Sequence, residues 1–261
     1  MNKTKERAIE ILSLYLGKVK ELDFVRSVIL VGSLSEDTYT GNAGSDIDLI
    51  HIVSDKGEYP LEKKRIFELI GKVECETDND IPIARVVFQE RHLRHPYNYD
   101  FELSQDNKDL IDRPTELFRA IDSGITVYGE NIIRDIERPT REDVEMSVRL
   151  VEKQLAALKD TDWYKNQYVK MRDNPTIRIM TQIVLTTAMS EYYFYTGKSC
   201  SSKYYILERM EQECSQVPYL NLLRLCHKNR FFPDKITEQD IETMNREYQT
   251  NFKKRPKTWS K

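Results

Sequence analysis

The chain has 261 residues, 39% of them hydrophobic and 32% charged, with a formal net charge of -3. That length supports one large domain or two smaller ones, each with its own core. The near-neutral balance speaks against an electrostatic nucleic-acid binder, which carries a basic surplus on one face, so no nucleic acid partner is expected. The four cysteines (Cys75, Cys200, Cys214 and Cys226) show no CxxC spacing and are sparse for a secreted framework, so reduced thiols in a cytoplasmic protein are expected. Nowhere do about twenty apolar residues run together, and neither export nor a membrane partner is expected.

Ile9, Leu12, Leu16 and Val19 recur at helical spacing and open the chain as an amphipathic helix. Phe24 to Val31 (FVRSVILV) is apolar and β-branched, a buried strand ending at Gly32; Asp46 to Val53 is a second strand, Leu61 to Val73 a helix, and Ile83 to Phe88 a third strand. Alternating strands and helices indicate an α/β or α+β first half. Leu110, Leu117, Phe118 and Ile121 then suggest a helix stopped by Ser123-Gly124, followed by ITVYGEN as strand or extended chain. After Pro139 the pattern is helical almost throughout: Arg141 to Leu158, Thr176 to Tyr195 ending at Gly197, Ser201 to Cys214, Tyr219 to Lys228, and Thr237 to Asn251. The expected division is residues 1–135 and 136–261.

The stretch VGSLSEDTYTGNAGSDIDLIHI (Val31 to Ile52) carries the chemistry. A glycine directly after a strand lets backbone approach a ligand closely, and Ser33 adds a hydroxyl and an N–H suited to a phosphate oxygen. Asp46 and Asp48 are two apart on a strand, so both carboxylates face one side, where they suit magnesium, a hard cation that bridges substrate phosphates. The plainer alternative is a polar hairpin loop with Asp-Ile-Asp as the wet face of a strand. The apolar neighbours Ile47, Leu49, Ile50, Ile52 and Val53 favour the site.

Val31, Gly32, Ser33, a spacer of twelve residues, then Asp46, Ile47, Asp48 and Leu49 resembles the signature of the DNA polymerase β-type nucleotidyltransferase superfamily. The segments AIDSGITVYGENI (Ala120 to Ile132) and IVLTTAMSEYYFYTGKSCSSKYYILERM (Ile183 to Met210) are similar in layout to the aminoglycoside (streptomycin and spectinomycin) adenylyltransferases. The resemblance implies an α+β protein: an N-terminal mixed sheet with flanking helices, then an all-helical substrate-binding domain. It implies ATP and Mg2+ as cofactors, Asp46 and Asp48 as metal ligands, and a small hydroxylated acceptor, an aminoglycoside-like antibiotic, that attacks the α-phosphorus. It leaves open a regulatory, antitoxin-like protein that modifies another protein, and a non-catalytic nucleotide sensor. Acceptor identity, base preference and oligomeric state stay open as well.

The resemblance implies a third acid near the start of the third strand, where the sequence supplies Asp80, with Glu90 at the far end as the alternative. Arg85 between them is placed facing the cleft, on a phosphate, because an unpaired guanidinium under covering helices is costly; the alternative is a surface salt bridge at the sheet edge. Lys203, like Lys198, is near a helix break in the second half and is a candidate for the ATP phosphates. Glu102, Asp106 and Asp109, or Asp160, Asp162 and Trp163, are candidates to meet a cationic acceptor, against the plainer readings of solvated loop and helix packing.

Overall fold

The computed structural model of the protein describes residues 4–41, 45–94, 113–145 and 175–256. The described residues pack into two compact units, one within Met1–Asn98 and Glu116–Pro139, the other within Tyr99–Thr115 and Thr140–Lys261. The first contains α1 (Lys5–Val19), β1 (Val25–Val31), β2 (Ile47–Val53), α2 (Tyr59–Glu76), β3 (Ile83–Gln89), most of α3 (Arg113–Ser123) and β4 (Ile125–Gly129).

Thr4 starts α1 by accepting the Arg7 amide on its hydroxyl at 3.1 Å, which satisfies one of the donors a first turn leaves unpaired. The buried stripe of α1 is Ala8, Ile11, Leu12, Tyr15 and Val19, turned away from the aliphatic line through Ile9, which stays 47% exposed. The inward residue that sets this rotation is Tyr15. Its hydroxyl donates to Nε2 of His51 on β2 at 2.6 Å, and His51 Nδ1–H donates to the Val86 carbonyl at 3.2 Å. A carbonyl only accepts, so the proton sits on Nδ1 and the ring is neutral. Burial pushes the His51 pKa down to about 4.

The sheet order is β3-β2-β1-β4, with β1 antiparallel to β2 and β4, and β2 parallel to β3. Val31, Asp48 and Ala84 are partners across β1, β2 and β3, and this register divides the side chains between two faces. Leu30, Leu49 and Val87 meet Ile11 and Leu12 of α1 and Ile66 and Ile70 of α2 in one core. Ile29, Ile50, Ile52 and Phe88 are buried on the opposite face, the face of Asp48. Burial on both sides is why these strands read as continuous apolar runs. β3 is an edge, and side chains cap its outer backbone: the Ile83 amide donates to Glu74 at 2.9 Å, and the Tyr59 hydroxyl donates to the Val87 carbonyl at 2.7 Å. Caps of this kind deny the edge to an added strand.

The described part of the second unit is helical and irregular: helical residues at 141–145, then α4 (Ile177–Thr196), α5 (Ile206–Glu213), α6 (Leu220–Phe231) and α7 (Glu238–Glu247). α4 begins at the Thr176 cap and ends at Gly197, whose φ of 70° is the left-handed stop that glycine accepts. Val184, Leu185, Ala188, Ile206, Met210 and Leu222 form its core. Beside that core Glu191, 1% exposed, accepts from Arg255 Nε and from the Tyr219 hydroxyl, both at 2.7 Å. A mixed sheet interleaved with helices is thus followed along the chain by a helical unit, an α+β architecture. All four cysteines are free thiols.

Candidate active site

β1 ends at Val31 and the chain turns at once through Gly32–Leu34. Gly32 has φ 74°, and a β-carbon built on it would lie 2.8 Å from Arg119 Nη2, 3.2 Å from Asp48 Cγ and closer still to Asp48 Oδ2. Only glycine lets this backbone lie against that carboxylate. The approach is set by strand register, since Val31 and Asp48 are partners in the β1–β2 ladder. Ser35 Oγ donates to the Gly32 carbonyl at 2.8 Å and the Thr38 amide to the Ser33 carbonyl at 2.9 Å, which brace the turn. Asp46 immediately precedes β2, two residues before Asp48. It lies near Tyr39, where burial first, then the Asp46 charge, holds the phenol pKa up.

The residues that complete this corner come from α3. Arg119 Nη2 is 2.8 Å from Asp48 Oδ2, and Nη1 is 2.9 Å from Glu116 Oε2. Burial works against the guanidinium charge, but Glu116 and Asp48 together outweigh it and raise the Arg119 pKa. The sequence reading missed both residues. The Glu116–Arg119 spacing of three marks an intrahelical pair, but nothing in it says that the same guanidinium meets a carboxylate on a strand.

Arg85 is not on the Asp48 face. It pairs in register with Leu49, so it points to the α2 side, where its guanidinium lies 4.9 Å from the Phe67 ring centre and lines a shallow groove with Lys63 and Lys64. The desolvation cost that seemed to bar it from that face does not arise, because β3 is the sheet edge and the guanidinium covers an aromatic ring while still half-exposed. Asp80 also departs from its expected role: it precedes β3 and pairs with Arg7 of α1 at 3.0 Å. Glu90 follows the far end of β3 and pairs with Arg26 at 3.3 Å; one strand length, roughly 17 Å, separates that end from Asp48. On the Asp48 face β3 presents Ala84, Val86 and Phe88, so the third acid expected from this strand is missing from it. Lys203 precedes α5 in the second unit, where Lys198 pairs with Glu213 at 2.6 Å. Glu102, Asp106, Asp109, Asp160, Asp162 and Trp163 lie outside the described residues.

Among the described residues no three His, Cys, Asp or Glu side chains gather as a metal cluster. Two carboxylates still suit Mg2+, which takes one or two from protein and fills its shell with substrate phosphates and water. The Arg119 guanidinium against Asp48 Oδ2 shows that the corner accommodates positive charge.

No protein-family model matches the sequence, and no curated protein matches it. The structure is similar to that of spectinomycin adenyltransferase AAD(9) from Enterococcus faecialis, solved with ATP and spectinomycin, with a TM-score of 0.55 at 15% identity, over 94% of this chain and 99% of that one. The chain shares the fold of that structure. A toxin-antitoxin structure with AMP-PNP overlaps at a TM-score of 0.26 and 14% identity, over 64% of this chain and 98% of that one, too little to add weight. No helix among the described residues is long and apolar enough to cross a membrane.

Proposed function

We propose that this adenyltransferase fold works as a magnesium-dependent nucleotidyltransferase, transferring AMP from ATP to a hydroxyl of a small, aminoglycoside-like molecule. The observation that carries the proposal is the contact of the Gly32 turn with the Asp48 carboxylate. Polyphosphate and cation need to meet at one point, and the closeness of the Gly32 turn to Asp48 supports that reading. In this reading Gly32 and Ser33 offer amides and a hydroxyl to the triphosphate, and Asp46 and Asp48 hold Mg2+, which when bound neutralises charge on the phosphate oxygens. An acceptor oxygen forms its bond to the α-phosphorus as the bond to pyrophosphate breaks, and the hydroxyl proton is released. β3 has no carboxylate on that face to take the proton, and Glu116 is the further acid of this corner.

The test is mass spectrometry of a panel of aminoglycosides and lincosamides, and of candidate protein partners, after incubation with protein, ATP and Mg2+, with Asp48→Asn alongside. An AMP adduct on a small molecule that disappears in Asp48→Asn is expected. An adduct on a protein instead would refute the small-molecule acceptor, and adduct formation undiminished by Asp48→Asn would refute the site.

A further inference from the structure

The corner built by α3 contains more than a metal site needs. Asp48, Glu116 and Arg119 have side chains only 19%, 20% and 18% exposed, and a single guanidinium bridges the two carboxylates. Carboxylates with this little exposure are stabilised by a counter-charge within reach. Arg119 provides one to Asp48 without any metal, on Oδ2, the oxygen nearest the Gly32 turn.

Building on the nucleotidyltransferase reading, we infer that Arg119 is a resident counter-ion of Asp48 that yields its oxygen to an incoming divalent cation and stays anchored on Glu116. The exchange needs no new partner. Nη1 keeps its bond to Glu116 while Nη2 leaves Asp48, and the released N–H remains beside the Gly32 turn, where it meets the polyphosphate. Arg119 is thus a positioning residue: it presets the Asp48 carboxylate, and it competes with the cation until the nucleotide arrives. Because guanidinium does not deprotonate in proteins, the exchange is driven by the ligand and not by pH. Ligands that compete for one group are linked, so removing one strengthens the other.

A purely structural bridge between α3 and the sheet predicts that Arg119 variants lose metal affinity or leave it unchanged. Resident competition predicts opposite signs for the two partners. Binding of Mn2+ alone, followed by electron paramagnetic resonance of the free ion, is expected to be about tenfold tighter in Arg119→Met than in the wild type. It is expected to be weaker in Glu116→Gln, where the guanidinium is left wholly to Asp48. Arg119→Lys, which keeps the charge but loses the fork, is expected to fall between wild type and Arg119→Met. Mn2+ affinity in Arg119→Met equal to or below wild type overturns the inference, as does tighter binding in Glu116→Gln, which still decides the matter if Arg119→Met fails to fold. Asp48→Asn is expected to abolish Mn2+ binding. Retention there would overturn the underlying metal site instead, so the two failures are distinguishable.

Discussion

Replacing Gly32 by alanine perturbs the contact on which the site rests. A side chain at φ 74° costs about 1 kcal/mol in backbone strain. The new methyl would overlap Asp48 Oδ2 and lie 2.8 Å from Arg119 Nη2, so the carboxylate must turn and its 2.8 Å pair with Arg119 is lost. Breaking a buried pair costs about 3 kcal/mol, reduced to the extent that the turned carboxylate finds water. The expected loss is therefore about 2–4 kcal/mol, read from urea unfolding as a lower midpoint at unchanged slope, with Mn2+ and ATP binding weakened in the same protein. Gly17 in α1 and Gly71 in α2 are the controls: a β-carbon there meets nothing within 4 Å, so Gly17→Ala and Gly71→Ala are expected to stabilise by about 0.5–1 kcal/mol. If Gly32→Ala unfolds within about 0.5 kcal/mol of wild type and binds nucleotide as well, the turn does not lie against Asp48 and the reasoning fails.

Acid should weaken the first unit through His51. Its pKa falls from 6.5 to about 4 on folding, so its contribution is complete above pH 6.5 and is lost as pH drops toward 4, up to about 3 kcal/mol; urea midpoints of His51→Gln should lack that part of the slope, and parallel curves would contradict it. Arg255→Met leaves Glu191 buried at 1% exposure without its counter-charge and should cost about 3 kcal/mol, while Glu191→Met added to it should recover most of that loss. Failure of the double variant to recover would show that packing, not charge, dominates there. Because Asp80 pairs with Arg7 at a partly exposed position, Asp80→Asn should change stability by less than about 1 kcal/mol and AMP transfer by less than twofold. A large loss of turnover at normal stability would return Asp80 to the site.

Short-range pattern was enough to locate most elements. The apolar runs before Gly32 and after Asp46 are β1 and β2, and Thr176 and Gly197 bound α4 because cap chemistry is local. The pairing of the Gly-Ser turn with Asp-Ile-Asp was also legible, since two strands joined by a short polar loop bring their facing ends together. Sequence separation alone could not fix sheet order. Without knowing that β3 is an edge strand in parallel register with β2, the alternation along Ile83–Gln89 has no absolute sign, and Arg85 and Asp80 were assigned to the wrong surroundings.

The helix phase of α1 shows the same limit on a smaller scale: the apolar spacing ran through Ile9 and Leu16, whereas the buried line runs through Ala8, Ile11 and Tyr15, whose hydroxyl meets His51. The sequence by itself determined the glycine turn that closes β1, the strand that carries Asp48, and the helices α4 to α7 of the second unit, for these follow from backbone sterics and from the periods of helix and strand. Only the tertiary structure decided that Arg119, seventy-one positions from Asp48, supplies the charge at its carboxylate. An ion pair between distant segments leaves no periodic trace in sequence; it exists because the sheet and α3 converge.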